Sequence, residues 1–332
     1  MRPEIVVALK IIAMFVVISV GYFSRRKGLL DGHTTSVLSR FVTDITLPAL
    51  IFLQMVETVD MDSLRVGWTI PLLAVTGTCL GFLIGWCTWR LFATRPQAPV
   101  FIFTSGMSNW VYLPLPIVAS LYGKDGLQTL FLSNLGLQTL FWTLGVAILH
   151  GGRLDSKAIR HLITNPGLIA TAAGIAFALF RGATGDTLSN LATHQPFSSA
   201  IDIILDSLRL LGQATIPVSL IVTGGQIAAA TMVRNRPLKA LTGIALNRLI
   251  FAPILGIAML WLFNWFFPVL SPAQLYVLAI ILLMPVSVTS TVITDKMNQD
   301  TVLAAQAVLY TTLASILAVP LMFMLARAIL GG

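Results

Sequence analysis

The chain has 332 residues, of which 56% are hydrophobic and only 10% charged, against roughly a quarter charged in soluble domains. That balance excludes a soluble fold, because its long apolar stretches need lipid to face. The net charge of +8 does not mark a nucleic-acid binder, since the basic residues form no stripe with interleaved aromatics and cluster in short loops between apolar runs.

Ten such runs are predicted as spanning helices, each near the roughly 20 residues that a hydrocarbon core requires. The first, 4–23, lacks a small-residue cleavage site and is expected to be a retained helix, not a signal peptide. The second, 34–57, holds Asp44 near mid-span, where a carboxylate costs about 2.5–3.5 kcal/mol on insertion scales. Arg40, one turn earlier, could pair with it, or Asp44 could serve proton or conformational coupling. The third run, 68–92, holds the only cysteines, Cys79 and Cys87, whose spacing makes neither a disulfide framework nor a metal motif.

The fourth run, 99–122, contains Pro114 and Pro116, and the ninth, 271–294, contains Pro285 followed by Ser287, Thr289, Ser290 and Thr291. Proline removes a backbone donor and clashes with the preceding turn, so neither helix is expected to run unbroken. Backbone freed at membrane depth is tolerated only where protein or a watery cavity satisfies it. The fifth run, 126–150, carries Asn134 and Gln138, which could line a path or bridge helices. The sixth run is 165–182, and a polar linker, 183–200, separates it from the seventh, 202–230. The eighth, 239–263, includes Arg248, which could attract an anion or snorkel to the surface, and the tenth is 299–329.

An internal repeat organises these runs. RFVTDITLP at 40–48 matches RLLGQATIP at 209–217, pairing Arg40 with Arg209, Asp44 with Gln213 and Pro48 with Pro217 at an offset of 169. The same offset carries Pro116 onto Pro285. A repeat of five spans is necessarily inverted in the membrane, and matching interrupted helices in two inverted halves point to a transporter's midplane site. The predicted units are 1–151 and 152–332. If the two breaks meet, two half-helix N-termini and a cluster of hydroxyl and amide groups form an anion site; otherwise the prolines only kink packed helices. Basic residues concentrate in the loops after the odd-numbered runs, including Arg25, Arg26, Lys27, Arg90 and Arg95. Such loops stay cytoplasmic, which places both termini outside an inner, or cell, membrane.

Residues in both halves resemble the auxin efflux carrier family, which includes plant PIN-formed carriers and bacterial permeases for malate and malonate. TLPALIF (46–52), NPGLIATAAGIAFAL (165–179), LGQATIPVSLIVTGGQIA (211–228) and the stretch from Met284 to Leu321 carry the likeness. The family's Asn-Thr-Gly-x-x-Gly-Leu-Pro pattern maps onto Asn109 through Pro116, with Trp110, Val111 and Pro114 departing from it. The resemblance implies a crossover fold like that of sodium/proton antiporters and bile-acid symporters. Helices 1, 2, 6 and 7 would form a scaffold, with 3–5 and 8–10 as the moving transport domain. Substrate would sit where broken helices 4 and 9 cross, with Asn109, Pro116, Pro285, Ser287 and Thr289 as its residues. Asp44, Gln213, Gln138 and Arg248 are candidates for coupling or for lining the path.

The expected function is therefore a secondary transporter moving a small organic acid by alternating access. The alternative is a proton- or sodium-coupled symporter or antiporter of the same fold for another solute. The fifth run holds no Asp or Glu, which weighs against cation exchange. An enzyme is not expected, because the four histidines do not converge with other catalytic groups. No cofactor, metal or nucleic acid is expected; lipid surrounds the protein, and a homodimer is allowed.

Overall fold

A computed structural model of the chain describes residues 3–58, 67–151, 160, 164–184, 197–231 and 237–331. The centre of the polar linker and the basic loops at 152–159 and 232–236 lie outside the described residues. Those described are almost all helical, and six helices among them are long and apolar enough to cross a membrane. The only β-type pairing found among them is one antiparallel bridge, Ser108 to Val286.

In chain order, α1 is Pro3–Arg26, and α2, Gly32–Phe41, runs through a π turn, Val42–Thr46, into α3, Leu47–Thr58. Asp31 caps α2 by accepting from Thr34 N at 2.6 Å, and that bond holds its carboxyl below the usual range. Helix α4, Thr69–Phe92, is followed by α5, Ala98–Gly106, and α6, Pro114–Leu140. At Gly123 the backbone leaves helical geometry (φ 55°), so α6 turns a corner there. Only a residue without a Cβ enters that region freely. A second π turn, Phe141–Gly145, leads into α7, Val146–Leu149.

The second half contains α8 (Pro166–Thr184), α9 (Phe197–Gln213) and α10 (Thr215–Thr231). Helices α11 (Leu238–Leu246) and α12 (Ala252–Phe266) flank a third π turn, Asn247–Phe251. Helices α13 (Pro272–Leu283), α14 (Thr289–Lys296) and α15 (Thr301–Leu330) complete it. Ser271 and Gln274 form a reciprocal capping box at the start of α13. Most predicted runs end within a few residues of a described helix, but 99–122 and 271–294 are each split, and 99–122 shares α6 with 126–150.

The outward-facing surface is apolar, with Val16, Trp86, Trp265, Phe266, Leu317 and Leu321 all exposed, as lipid requires. Without a hydrophobic drive in lipid, helices associate by close packing and hydrogen bonds. Helix α1 lies against α10 so closely that a Cβ on Gly21 would stand 2.0 Å from Ile221 O, and one on Gly224 2.0 Å from Ile18 O. Helix α3 packs on α8, α9 and α6, while α4, α5, α6, α12, α13 and α15 pack on one another and α15 also meets α10 and α1.

Candidate functional site

Two helical paths are interrupted. Helix α5 stops at Gly106, α6 starts at Pro114, and residues 107–113 between them are extended or turned. Helix α13 stops at Leu283 and α14 starts at Thr289. Proline shapes both interruptions, though not as the sequence offset suggests. Pro114 is the first residue of α6, while Pro116 lies inside its first turn, where amides have no intrahelical acceptor and proline is tolerated. Pro285, by contrast, lies in the interruption itself.

The two interruptions touch. Asn109 N donates to Pro285 O at 2.8 Å and Ser287 N donates to Met107 O at 3.1 Å, on either side of the Ser108–Val286 bridge. Val286 N donates to Thr311 Oγ1 on α15 at 3.1 Å. Amides freed by the breaks are thus satisfied by protein, as the low-dielectric interior demands. Asn109 Oδ1 accepts from Tyr112 N at 3.2 Å, whereas Asn109 Nδ2 is buried without a partner, as is Ser290 Oγ. Ser287 Oγ and Thr289 Oγ1 lie 2.6 Å apart.

Beside the crossing lies a small, partly open cleft lined by Ser39, Val42, Tyr112, Ser219, Val222, Thr223, Gln226, Val288 and Thr289. It opens between the interrupted segments and the α2–α10 side, and no Asp, Glu, Lys or Arg among the described residues lines it. The Ser219 and Thr223 hydroxyls donate to Ile216 O and Ser219 O, both at 2.8 Å. Polar hydrogens remain for a ligand on Tyr112, Ser39, Gln226 and the Ser287–Thr289 pair. The Gln226 Oε1 has no protein partner.

Of the predicted substrate residues, Thr289 lines the cleft; Asn109, Pro285 and Ser287 build the crossing beside it, and Pro116 belongs to the adjoining helix. Arg248 neither snorkels nor lines the cleft: it is 1% exposed, in the third π turn, and donates to Met284 O (3.0 Å), Gly106 O (2.9 Å) and Leu282 O. The π turn rotates it inward, and adjacent Asn247 is anchored to Thr88 Oγ1 at 2.8 Å and Ser105 Oγ at 3.1 Å. Asp44 is exposed, with the Thr43 hydroxyl 3.1 Å away, and makes no ion pair with Arg40 among the described residues. Gln213 is also exposed and Gln138 half-buried, neither on the cleft. Asn134 bridges helices, its Oδ1 accepting from Trp110 Nε1 at 2.9 Å.

One polar seam joins α3, α6 and α9 near the corner at Gly123. Glu57 pairs with Lys124 and with Arg209, each at 3.1 Å, and Arg209 also meets Asp206 at 2.7 Å. These partly exposed pairs contribute little stability individually. Tyr112, Ser219, Thr223 and Gln226 escaped the sequence reading; the only signal for Gln226 was an amide within an otherwise apolar helix.

The profile of the membrane transport protein family matches residues 6–161 and 152–323. The chain belongs to this family, that of the auxin efflux carriers and PIN-like proteins. A transporter from Methanothermobacter thermautotrophicus is 25% identical over 205 residues, covering 60% of this chain and 66% of that protein. One from Methanocaldococcus jannaschii is 24% identical over 220 residues, 64% of this chain and 67% of the relative. Protein PIN-LIKES 6 of Arabidopsis thaliana is 32% identical over 101 residues, 30% of this chain and 23% of its own length. The chain thus matches just under two thirds of the first archaeal relative. The family is one of membrane transport proteins, and several apolar helices among the described residues suit a multi-pass protein.

Proposed function

We propose that the protein is a secondary transporter that moves a small organic anion by alternating access, with substrate bound in the cleft beside the two interrupted helices. The observation that carries this reading is the contact between the interruptions, which sets two helix N-termini and unpartnered polar groups beside a cleft without fixed charge. Among the described residues no carboxylate lines the cleft to receive a cation. A carboxylate gains about 0.3–1 kcal/mol per helix N-terminus, up to about 2 where partly buried. Hydrogen bonds from Gln226 or Thr289 to the charged acceptor add roughly 1.5–3 kcal/mol gross each.

In this reading the chain is two inverted halves, each of five spans, with scaffold helices 1, 2, 6 and 7 against transport helices 3–5 and 8–10, and the antiparallel bridge between the interruptions supports it. Ser108 faces Val286 at a separation of 178 residues, whereas the repeat pairs Thr46 with Thr215 at 169. The helices before the break are longer in the second half (Leu238–Phe266 and Pro272–Leu283) than in the first (Thr69–Phe92 and Ala98–Gly106), so Pro116 can match Pro285 in sequence without matching it in place. The excess of basic residues in the loops after odd-numbered spans sets both termini outside.

Uptake of labelled carboxylates into proteoliposomes tests this reading, with wild type compared to Asn109→Ala. Saturable carboxylate uptake reduced by the substitution supports it. Robust uptake of an organic cation, indifferent to competing carboxylates and to loss of Asn109, overturns it.

A further inference from the structure

Arg248 has no part in the cleft, yet its side chain is among the largest that are fully buried. Its partners share one property. Gly106 is the last residue of α5, Leu282 lies in the last turn of α13, and Met284 caps α13. All three guanidinium nitrogens thus reach carbonyls at the C-terminal ends of the two half-helices that run into the crossing. The final carbonyls of a helix lack intrahelical donors, and the fixed fork of an arginine suits several of them at once. No carboxylate pairs with Arg248 among the described residues.

Four helix ends converge here. The C-termini of α5 and α13 each carry about −0.5 charge, and the N-termini of α6 and α14 each about +0.5. Alone they cancel. Arg248 neutralises the two negative ends and leaves the two positive ends uncompensated, next to the cleft. Asn109 Nδ2 and Ser290 Oγ, both buried near those positive ends, have no protein partner.

Resting on the transporter reading above, we propose that Arg248 is a positioning residue that sets the charge selectivity of the site without touching substrate. It ties the ends of α5 and α13 into one body and makes the crossing positive by about one charge. The anion preference then arises from a side chain that does not line the cleft.

The test compares acetate, benzoate and malate with acetamide, benzamide and malamide, their binding to purified full-length protein measured by thermal shift. Wild type is expected to bind at least one acid about tenfold or more tightly than its amide. Arg248→Met brings that ratio to within about threefold, whereas Arg248→Lys keeps it. A merely structural role would weaken acid and amide together and leave the ratio unchanged. A folded Arg248→Met that keeps the full preference overturns the proposal, as does a folded Arg248→Lys that loses it. If Arg248→Met is not recovered folded, Arg248→Gln, which keeps a donor for one carbonyl, carries the same comparison. Wild type without any preference for acids overturns the anion reading itself, a failure seen before any substitution is made.

Discussion

Adjacent glycines in α10 are expected to respond in opposite ways to the same substitution. A Cβ on Gly224 would stand 2.0 Å from Ile18 O and 2.7 Å from Tyr22 N, both backbone atoms of α1 that cannot step aside. Ordinary contact begins near 3.4 Å, so Gly224→Ala must open the α1–α10 crossing by more than about 1 Å. A gap of that size forfeits roughly a quarter to a half of each contact of about 0.1–0.2 kcal/mol. Over the roughly 40–60 contacts of one buried side chain the loss is about 3 kcal/mol. Alanine's better helix propensity returns about 1 kcal/mol, for a net destabilisation of about 2 kcal/mol. A Cβ on Gly225 meets only side-chain atoms, of Thr35 at 3.3 and 3.4 Å and of Leu30 at 3.9 Å, so Gly225→Ala should be neutral or slightly stabilising. Thermal unfolding in detergent, followed by circular dichroism, should separate the two variants by several degrees, given about 2–4 °C per kcal/mol for domains of 150–250 residues. Equal melting temperatures for Gly224→Ala and Gly225→Ala would refute the close crossing.

The ninth-helix interruption should depend on α15. Thr311→Val removes the acceptor of Val286 N, leaving a buried N–H unpaired at a cost of about 1–3 kcal/mol; an unchanged melting temperature would show that the break finds another acceptor. Topology is open to labelling, since Lys27 and Lys124 are both exposed and fall on opposite sides of the proposed membrane. A cysteine at Lys124 should react with an impermeant thiol reagent added to intact cells and one at Lys27 should not; the reverse pattern inverts the protein.

The helices were legible because apolar runs between charged or glycine- and proline-rich turns are dictated by lipid, and most boundaries fell within a few residues. The interruptions were legible through Pro114 and Pro285, which cannot take part in a continuous ladder. Their register was not: Pro116 matches Pro285 in sequence, but it occupies an early helix position where its missing donor costs nothing. The fate of Arg248 was hidden for a different reason. Sequence gives depth along a helix but not rotation, and the π turn at Asn247–Phe251 turns that side chain toward the crossing. The cleft was largely illegible as well, because Ser219, Thr223 and Gln226 acquire a common wall only when α10 packs opposite Tyr112 and Thr289. Asp44, conspicuous in sequence, is exposed and off the cleft.

The claim that substrate occupies this cleft is tested most directly by blocking it. Val222 lines the cleft, and Val222→Cys, with Cys79 and Cys87 replaced by serine, places a single thiol there. Counterflow of a labelled carboxylate in proteoliposomes should be saturable, should be abolished when that thiol is capped with a bulky maleimide, and the capping should be slowed by excess unlabelled carboxylate. Undiminished counterflow from fully capped protein would place the substrate path elsewhere.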